Sequence, residues 1–313
     1  MKFLVLGAGG VGGYFGGRLA ASGADVTFLV RERRREQLQR DGLIIESVLG
    51  NLKTPVKTVT ASELVPGYDL VILTCKAYDL EASMDAIAPI MDGKCALLPL
   101  LNGMEHLEKL DIRFGHDNIL GGSCHIAAVL KSDGVIKHLN DVHRITIGER
   151  DKSVTPRIQA IDAAFTKSGV DAKRSSDIML EMWEKIAFLS TLAGMTCLMR
   201  ANVGEIVRTS DGAELMQRYF LACVQIATKC GHPPRTHAVQ RLNDVVTERD
   251  SGLTASMLRD LEGGGQVEAD HIVGYMLRKA RELYIDDSLL TVAYTHLKAY
   301  EERRAAKRLP LHY

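Results

Sequence analysis

A two-domain chain, α/β followed by all-α, is what this sequence predicts, and three features predict it. Short apolar runs alternate with amphipathic helical stretches through the N-terminal half. A glycine-rich turn follows the first of those runs directly, and from Asp177 onward nearly every segment has helical periodicity. The length agrees, because 313 residues exceed what one hydrophobic core usually supports. The texture changes at Ser175-Ser176-Asp177, so the expected domains are residues 1–175 and 176–313.

Taken in order, Lys2–Leu6, Asp25–Leu29, Asp69–Thr74, Cys95–Leu100 and Ile119–Leu130 read as strands. Their β-branched and leucine-rich character suits a parallel sheet covered on both faces. Gly134–His138 and Arg144–Gly148 read as a later antiparallel pair, and Val170–Arg174 as a last short strand. In the second domain Ile178–Met199, Glu214–Lys229, His237–Glu248, Val267–Leu283 and Ser288–Lys307 read as helices separated by Gly, Pro or Asn/Asp breakers.

The first run leads straight into Gly7-Ala8-Gly9-Gly10-Val11-Gly12, then into a helix of small residues to about Ala21. This is G-x-G-x-x-G in strand–turn–helix context, the fingerprint of a dinucleotide-binding Rossmann domain. Gly7 permits the tight turn, Gly9 lets backbone approach a pyrophosphate, and Gly12 allows close helix–strand packing, while the helix start supplies N–H donors to the anion. At the end of the second strand, an acidic residue holds the ribose hydroxyls of NAD, whereas arginine suits the 2′-phosphate of NADP. Here Arg31 occupies that position, and a guanidinium pairs bidentately with phosphate, so the expected cofactor is NADP(H). Arg33 to Arg35 read as a solvated helix start. Lys76 and Asn102 stand just past the third and fourth strands, where ligands of open α/β sheets bind. Alone, a lysine at a strand exit is most often solvated and an Asn-Gly pair is most often a turn.

Composition narrows the function classes. Lys+Arg and Asp+Glu both total 39, leaving no net field to attract nucleic acid or an anionic membrane. Six cysteines without a C-x-x-C pair or metal-finger spacing read as ordinary thiols in a reducing compartment, with no metal site expected. No stretch approaches eighteen uninterrupted apolar residues, and no basic-then-apolar leader follows Met1, so a soluble, cytoplasmic protein is the expectation. A homodimer is the commonest symmetric assembly such a helical domain supports.

Glycine turn, Arg31, Lys76 and Asn102 together resemble the ketopantoate reductase (2-dehydropantoate 2-reductase) family, and the likeness covers essentially the whole chain. Two further motifs carry it. Trp183-Glu184-Lys185 resembles the family's W-x-K helix, and Ser256-Met257-Leu258-Arg259-Asp260 followed by Glu268-Ala269-Asp270 resembles its S-M-x-x-D…E-x-D segment. The resemblance implies NADPH-dependent reduction of a 2-oxo acid to a 2-hydroxy acid, with 2-dehydropantoate the first candidate and pantothenate biosynthesis the context. It implies Lys185 as general acid and Glu268 as its support, Ser256 and Asn102 as substrate-binding, and Gly7, Gly9, Gly10, Gly12, Arg31, Lys76, Asn102 and Glu268 as cofactor-binding residues. A lysine oriented near a carboxylate in a half-desolvated site is a sensible proton donor to a carbonyl becoming an alkoxide.

Four positions depart from the family pattern. Its substrate-side asparagines are replaced by Leu189, Ala193, Val203 and Leu253, with Ser190, Thr196 and Asn202 as nearby polar candidates for the lost role. Lys185, Leu189 and Ala193 follow i, i+4, i+8 and share one helix stripe. Two alternatives therefore stay open: a paralogous reductase of a more apolar 2-oxo acid, and a non-catalytic dinucleotide-binding protein.

Overall fold

A computed structural model describes residues 1–309. The chain forms two compact units, Met1–Leu101 with His106–Met179, and Asn102–Glu105 with the chain from Leu180 onward.

The strands of the first unit are β1 (Lys2–Leu6), β2 (Asp25–Leu29), β3 (Leu43–Glu46), β4 (Leu52–Thr54), β5 (Lys57–Val59), β6 (Leu70–Leu73), β7 (Ala96–Pro99), β8 (Gly121–Leu130), β9 (Ile136–Gly148) and β10 (Asp171–Arg174). Five of them make a wholly parallel sheet in the order β5-β2-β1-β6-β7. Phe3, Leu4, Val5 and every residue of β6 are buried, as strands covered on both faces require. The strand order reverses at β1, between β2 and β6, so the carboxyl ends of β1 and β6 mark the crevice where ligands of such sheets bind. Helices α1 (Gly10–Ala21), α2 (Glu32–Asp41), α3 (Leu80–Ile87), α4 (Glu105–Phe114) and α5 (Pro156–Lys167) supply the connections.

A second sheet, β10-β9-β3-β4 with β8 on β9, corrects the expected antiparallel pair. Gly134–His138 and Arg144–Gly148 do not pair with each other; they contribute to the single strand β9, whose antiparallel partner is β8. The register jumps from Ile126↔His143 to Ala128↔His138, so four residues of β9 face one of β8 in a bulge. Asn140 Oδ1 accepts the Ala127 N–H there at 3.2 Å, and the Asn140-Asp141 turn signal is what made one strand read as two. Strands β3 to β5 were not expected: each is only three or four residues long, too short for an alternation to register.

The second unit holds α6 (Ile178–Met199, apart from its first two residues), α7 (Val203–Val207), α8 (Gly212–Lys229), α9 (Thr236–Val246), α10 (Ser256–Glu262), α11 (Tyr275–Glu282) and α12 (Ser288–Ala305). α6 is apolar on nearly every side and runs through the core, burying Met182, Trp183, Ile186, Ala187, Leu192 and Met195. A side chain at Gly194 would fall 2.4 Å from the Tyr219 hydroxyl, so this glycine is what lets α8 approach α6 closely. The helix expected from Val267 begins later. Val267 and Glu268 precede it, Asp270–Gly274 form a π-helical turn, and only then does α11 follow. No helix among the described residues is long and apolar enough to cross a membrane.

Candidate active site

In the first unit the glycine turn is held open by its surroundings. Gly7 has φ of +92°, a region L-residues with a Cβ rarely adopt, and its N–H donates to the Leu29 carbonyl at 3.0 Å. A Cβ at Gly12 would lie 2.2 Å from Thr74 Oγ1 and 2.4 Å from the Gly7 carbonyl oxygen; one at Gly10 would lie 2.4 Å from the Ala128 carbonyl oxygen. Both positions exclude any larger residue. At Gly9 the same test meets nothing within 4 Å, which leaves the open space a diphosphate needs against the backbone. α1 starts there with no side-chain cap and no acidic residue in its first turn, so its N–H groups and dipole are available to an anion. These residues fit a dinucleotide.

Arg31 stands at the end of β2 as the residue preceding α2, with its side chain 87% exposed. Among the described residues its side chain makes one loose contact, Nη2 to Asp79 Oδ1 at 3.5 Å, on the short 3-10 turn Ala77–Asp79 that Lys76 precedes. The structure thus brings Arg31 beside the Lys76 turn at the carboxyl end of the sheet, with half-buried Lys76 at the exit of β6. The next arginines correct the expectation of a solvated run. Arg34 is half-buried, donating from Nε to the Ala8 carbonyl at 3.2 Å and from Nη1 to Gln37 Oε1 at 2.6 Å and the Gly134 carbonyl at 3.0 Å. Arg35 pairs with both carboxylate oxygens of Glu63, at 2.8 and 2.9 Å. Of the three, Arg33 is the exposed one.

All four candidate substrate and catalytic residues, Asn102, Lys185, Ser256 and Glu268, belong to the second unit. Lys185 is half-buried on α6, flanked by residues that fix the helix. Trp183 stacks on His232 at 5.9 Å between ring centroids, and Glu184 accepts the Arg235 backbone N–H at 2.9 Å and its guanidinium at 2.8 and 2.5 Å. Burial would raise the Glu184 carboxyl, yet the Arg235 hydrogen bonds outweigh it and hold the group below its usual range. Ser256 is exposed at the start of α10, and the preceding Ala255 N–H bonds Thr196 Oγ1 of α6 at 3.4 Å. Glu268 is buried, 7% exposed, in the stretch leading to the π-helical turn. Such turns recur at functional sites.

Asn102 is tied to that same stretch. Gly103, at φ +91°, sits so close to His271 that a Cβ would lie 2.3 Å from the His271 carbonyl oxygen. Arg278 donates to Glu105 at 2.6 Å and to the Asp270 carbonyl at 3.5 Å, clipping the loop's far end to the turn after Glu268. Asp270 itself accepts from Tyr294 at 2.5 Å and Lys298 at 3.1 Å; burial raises its carboxyl, but these partners together lower it. Glu105 and Arg278 escaped sequence reasoning because charged residues on helices have no spacing signature, whereas Asp270 entered only as the last residue of the E-x-D motif.

The apolar replacements keep to the fold. Ala193 and Val203 are buried, Leu189 is half-buried, and Leu253 is exposed. The polar candidates for the lost role are engaged elsewhere. Ser190 lies 3.4 Å from the Tyr219 hydroxyl, Thr196 donates to the Leu192 carbonyl at 2.6 Å, and Asn202 forms a reciprocal capping box with Glu205 at the start of α7. The buried thiols of Cys95, Cys197 and Cys223 are pushed up to about 12 by burial, which leaves them inert.

An open glycine turn on a parallel sheet, followed by a helical unit with a lysine, a buried glutamate, a serine and an asparagine, defines a two-unit oxidoreductase of the dinucleotide-dependent class. Comparison with known proteins carries this further. Residues 3–152 match the family model of ketopantoate reductase PanE/ApbA, and residues 177–301 match that of its C-terminal part. The chain belongs to the ketopantoate reductase family. It is 36% identical over 97% of its length to an uncharacterized oxidoreductase, YkpB, of Bacillus subtilis, all of which is covered. It is 26% identical to a 2-dehydropantoate 2-reductase of Nostoc, over 98% of each chain. The crystal structure of a 2-dehydropantoate 2-reductase from Geobacter metallireducens superposes with a TM-score of 0.87 at 27% identity, covering 96% of this chain and 99% of that one. A D-mandelate dehydrogenase, solved in ternary complex with NADH and anilino(oxo)acetate, shares the fold at a TM-score of 0.86 and 21% identity over 97% of this chain and 99% of that one. The family thus includes proteins named 2-dehydropantoate 2-reductase and a further oxidoreductase.

Proposed function

We propose that the protein is a cytoplasmic, NADPH-dependent reductase that converts a 2-oxo acid to the 2-hydroxy acid, with 2-dehydropantoate as the first candidate substrate. The observation that carries the reading is that Asn102, Lys185, Ser256 and Glu268 are all retained and all fall within one compact unit, in a chain that belongs to this family. When bound, the dinucleotide supplies the hydride. The Lys185 ammonium protonates the carbonyl oxygen as negative charge develops on it, becomes a neutral amine, and regains its proton from solvent. Glu268 orients that ammonium, while Ser256 and Asn102 donate hydrogen bonds to the substrate. Arg31, almost fully exposed and loosely held by a 3.5 Å contact with Asp79, is the partner for the 2′-phosphate, which favours NADPH over NADH.

One observation favours a second reading, a more apolar 2-oxo acid. Leu189 and Ala193 lie on the Lys185 stripe, and Ser190, Thr196 and Asn202 are committed to helix contacts and a cap, so none of these three polar candidates is left to read a substrate hydroxyl. The test is a screen of 2-oxo acids with NADPH oxidation as the readout, including 2-dehydropantoate and its analogue lacking the terminal hydroxyl. A kcat/KM preference of about 10⁴ or more for 2-dehydropantoate identifies a hydroxyl-reading site, and one below about 10²–10³ favours the apolar substrate. Dinucleotide binding without turnover of any 2-oxo acid would reject both.

A further inference from the structure

The arginine run after β2 divides its labour in an uneven way. Arg35 has Glu63 and Arg31 has Asp79, but among the described residues Arg34 has no carboxylate. Its three acceptors are neutral: the Ala8 carbonyl inside the glycine turn, the Gly134 carbonyl between β8 and β9, and the Gln37 amide oxygen. The remaining nitrogen, Nη2, is buried without a partner. Burial lowers its pKa with no opposing charge to restore it, yet guanidinium stays protonated at any relevant pH. The chain therefore holds an uncompensated cation against the turn.

Its geometry is that of a clip. Gln37 also donates to the Asp133 carbonyl at 2.8 Å, and Gly134, at φ +88°, comes so near that a Cβ would lie 2.1 Å from Gln37 Nε2. Ala8 is thereby fastened through Arg34 to the turn joining β8 to β9. Ala8 and Gly9 are consecutive, so the guanidinium that holds the Ala8 carbonyl at 3.2 Å grips the backbone one residue from the open position at Gly9. A diphosphate against Gly9 would meet both a fixed backbone and the missing counter-charge.

We infer that Arg34 is a positioning residue for the dinucleotide, fixing the glycine turn through the Ala8 carbonyl and balancing the diphosphate shared by NADPH and NADH. The inference rests on the dinucleotide reading above and assigns Arg34 a task distinct from that of Arg31, which concerns the 2′-phosphate alone.

Fluorescence titration of NADPH and NADH against the full-length protein tests it, alongside thermal melting without cofactor. Arg34→Gln is expected to weaken both dinucleotides by about 10–100-fold, the range for a lost hydrogen bond to a charged group, with kcat at saturating cofactor changed less than about threefold. Arg34→Lys keeps the charge but not the planar fork, and is expected to recover only part of the loss. Arg35→Gln, which breaks the Glu63 pair on the same helix, should leave both affinities unchanged. Should Arg34→Gln fail to fold, Gln37→Met loosens the clip more gently and is expected to weaken both dinucleotides about equally, by about 3–10-fold. Affinities within twofold of wild type in folded Arg34→Gln or Gln37→Met, a loss confined to NADPH, or full recovery by lysine would overturn the inference. Failure of the wild-type protein to bind either dinucleotide would instead reject the functional reading beneath it.

Discussion

The glycine turn of the first unit and the candidate residues of the second are specified in opposite ways. Gly7, Gly10 and Gly12 are demanded by backbone: a Cβ would strain φ or strike the Gly7 and Ala128 carbonyls. Lys185, Ser256 and Glu268, in the roles proposed for them, would act through their side chains, and the helix that carries Lys185 is fixed by the Trp183–His232 stack and the Glu184–Arg235 pair. Recognition through backbone tolerates little change and retains its ligand class, whereas recognition through side chains can be retuned one residue at a time. The departures at Leu189, Ala193, Val203 and Leu253 all fall on the second side of that divide.

The sharpest way to break this contrast is Lys185→Ala. It is expected to lower kcat by about 10²–10⁴-fold, the usual contribution of a positioned general acid, and to leave dinucleotide affinity unchanged. Single-turnover rates and a cofactor titration measure the two separately; a loss mainly in affinity would mean that the units do not divide the chemistry as described. A smaller effect is expected from Arg31→Asp, which removes the phosphate partner and adds a carboxylate that accepts ribose hydroxyls. The NADPH-to-NADH ratio of kcat/KM should fall by about 10–100-fold, with substrate preference unmoved. An unchanged ratio would place the reading of the 2′-phosphate on another cation.

The smallest expected effect concerns acid stability. His143 in the first unit is held below the ordinary histidine value of 6.5, chiefly by burial and then by the charges of Arg18 and His138, against an opposing pull from Asp171. In the second unit His296 is held low by burial and Arg200, against a hydrogen bond with Cys197. A histidine whose folded pKa is depressed binds its proton more readily when unfolded. Its stabilisation is present above about pH 6.5 and is lost as pH falls through the folded value. His143→Gln keeps an acceptor for the Tyr14 hydroxyl, which lies 2.9 Å from His143 Nδ1, without titrating. The fall in Tm between pH 7.5 and 5.5 should shrink by about 1–2 °C, small because the ring is partly exposed and screened. The same comparison with His296→Gln tells which unit weakens first on acidification. An unchanged slope in both variants would show that other groups, the carboxylates or the remaining histidines, set the acid limit.

Much of the first unit was legible in the sequence because its signals are local. β1 and β2 lie at Lys2–Leu6 and Asp25–Leu29, where the apolar runs place them, and the turn between β1 and α1 is written in adjacent glycines. What escaped is what depends on distant partners. The β9 bulge looked like a turn, because Asn140-Asp141 carries turn chemistry whether or not Ala127 waits across the sheet. Arg34 looked solvated, because its acceptors Ala8 and Gly134 lie 26 and 100 residues away in the chain. In the second unit α6 spans Ile178–Met199 as its periodicity predicts, yet nothing in that periodicity marks Lys185 as a proton donor. Its role came from resemblance to a family, as did those of Ser256 and Glu268. The π-helical turn after Glu268 has no propensity signature at all, so the helix was expected to start at Val267.

The four residues Asn102–Glu105 leave the first unit's chain after β7, join the second unit, and return at His106. The boundary is therefore not a single point along the polypeptide. Anyone recombining halves of related reductases at the obvious junction near residue 175 would inherit Asn102, Gly103 and Glu105 from one parent and His271 and Arg278 from the other. Position 103 admits no Cβ beside the residue 271 carbonyl, and Glu105 pairs with Arg278, so keeping both contacts from one parent takes three crossovers rather than one. Two of them bracket a segment of four residues, barely more than one turn of helix.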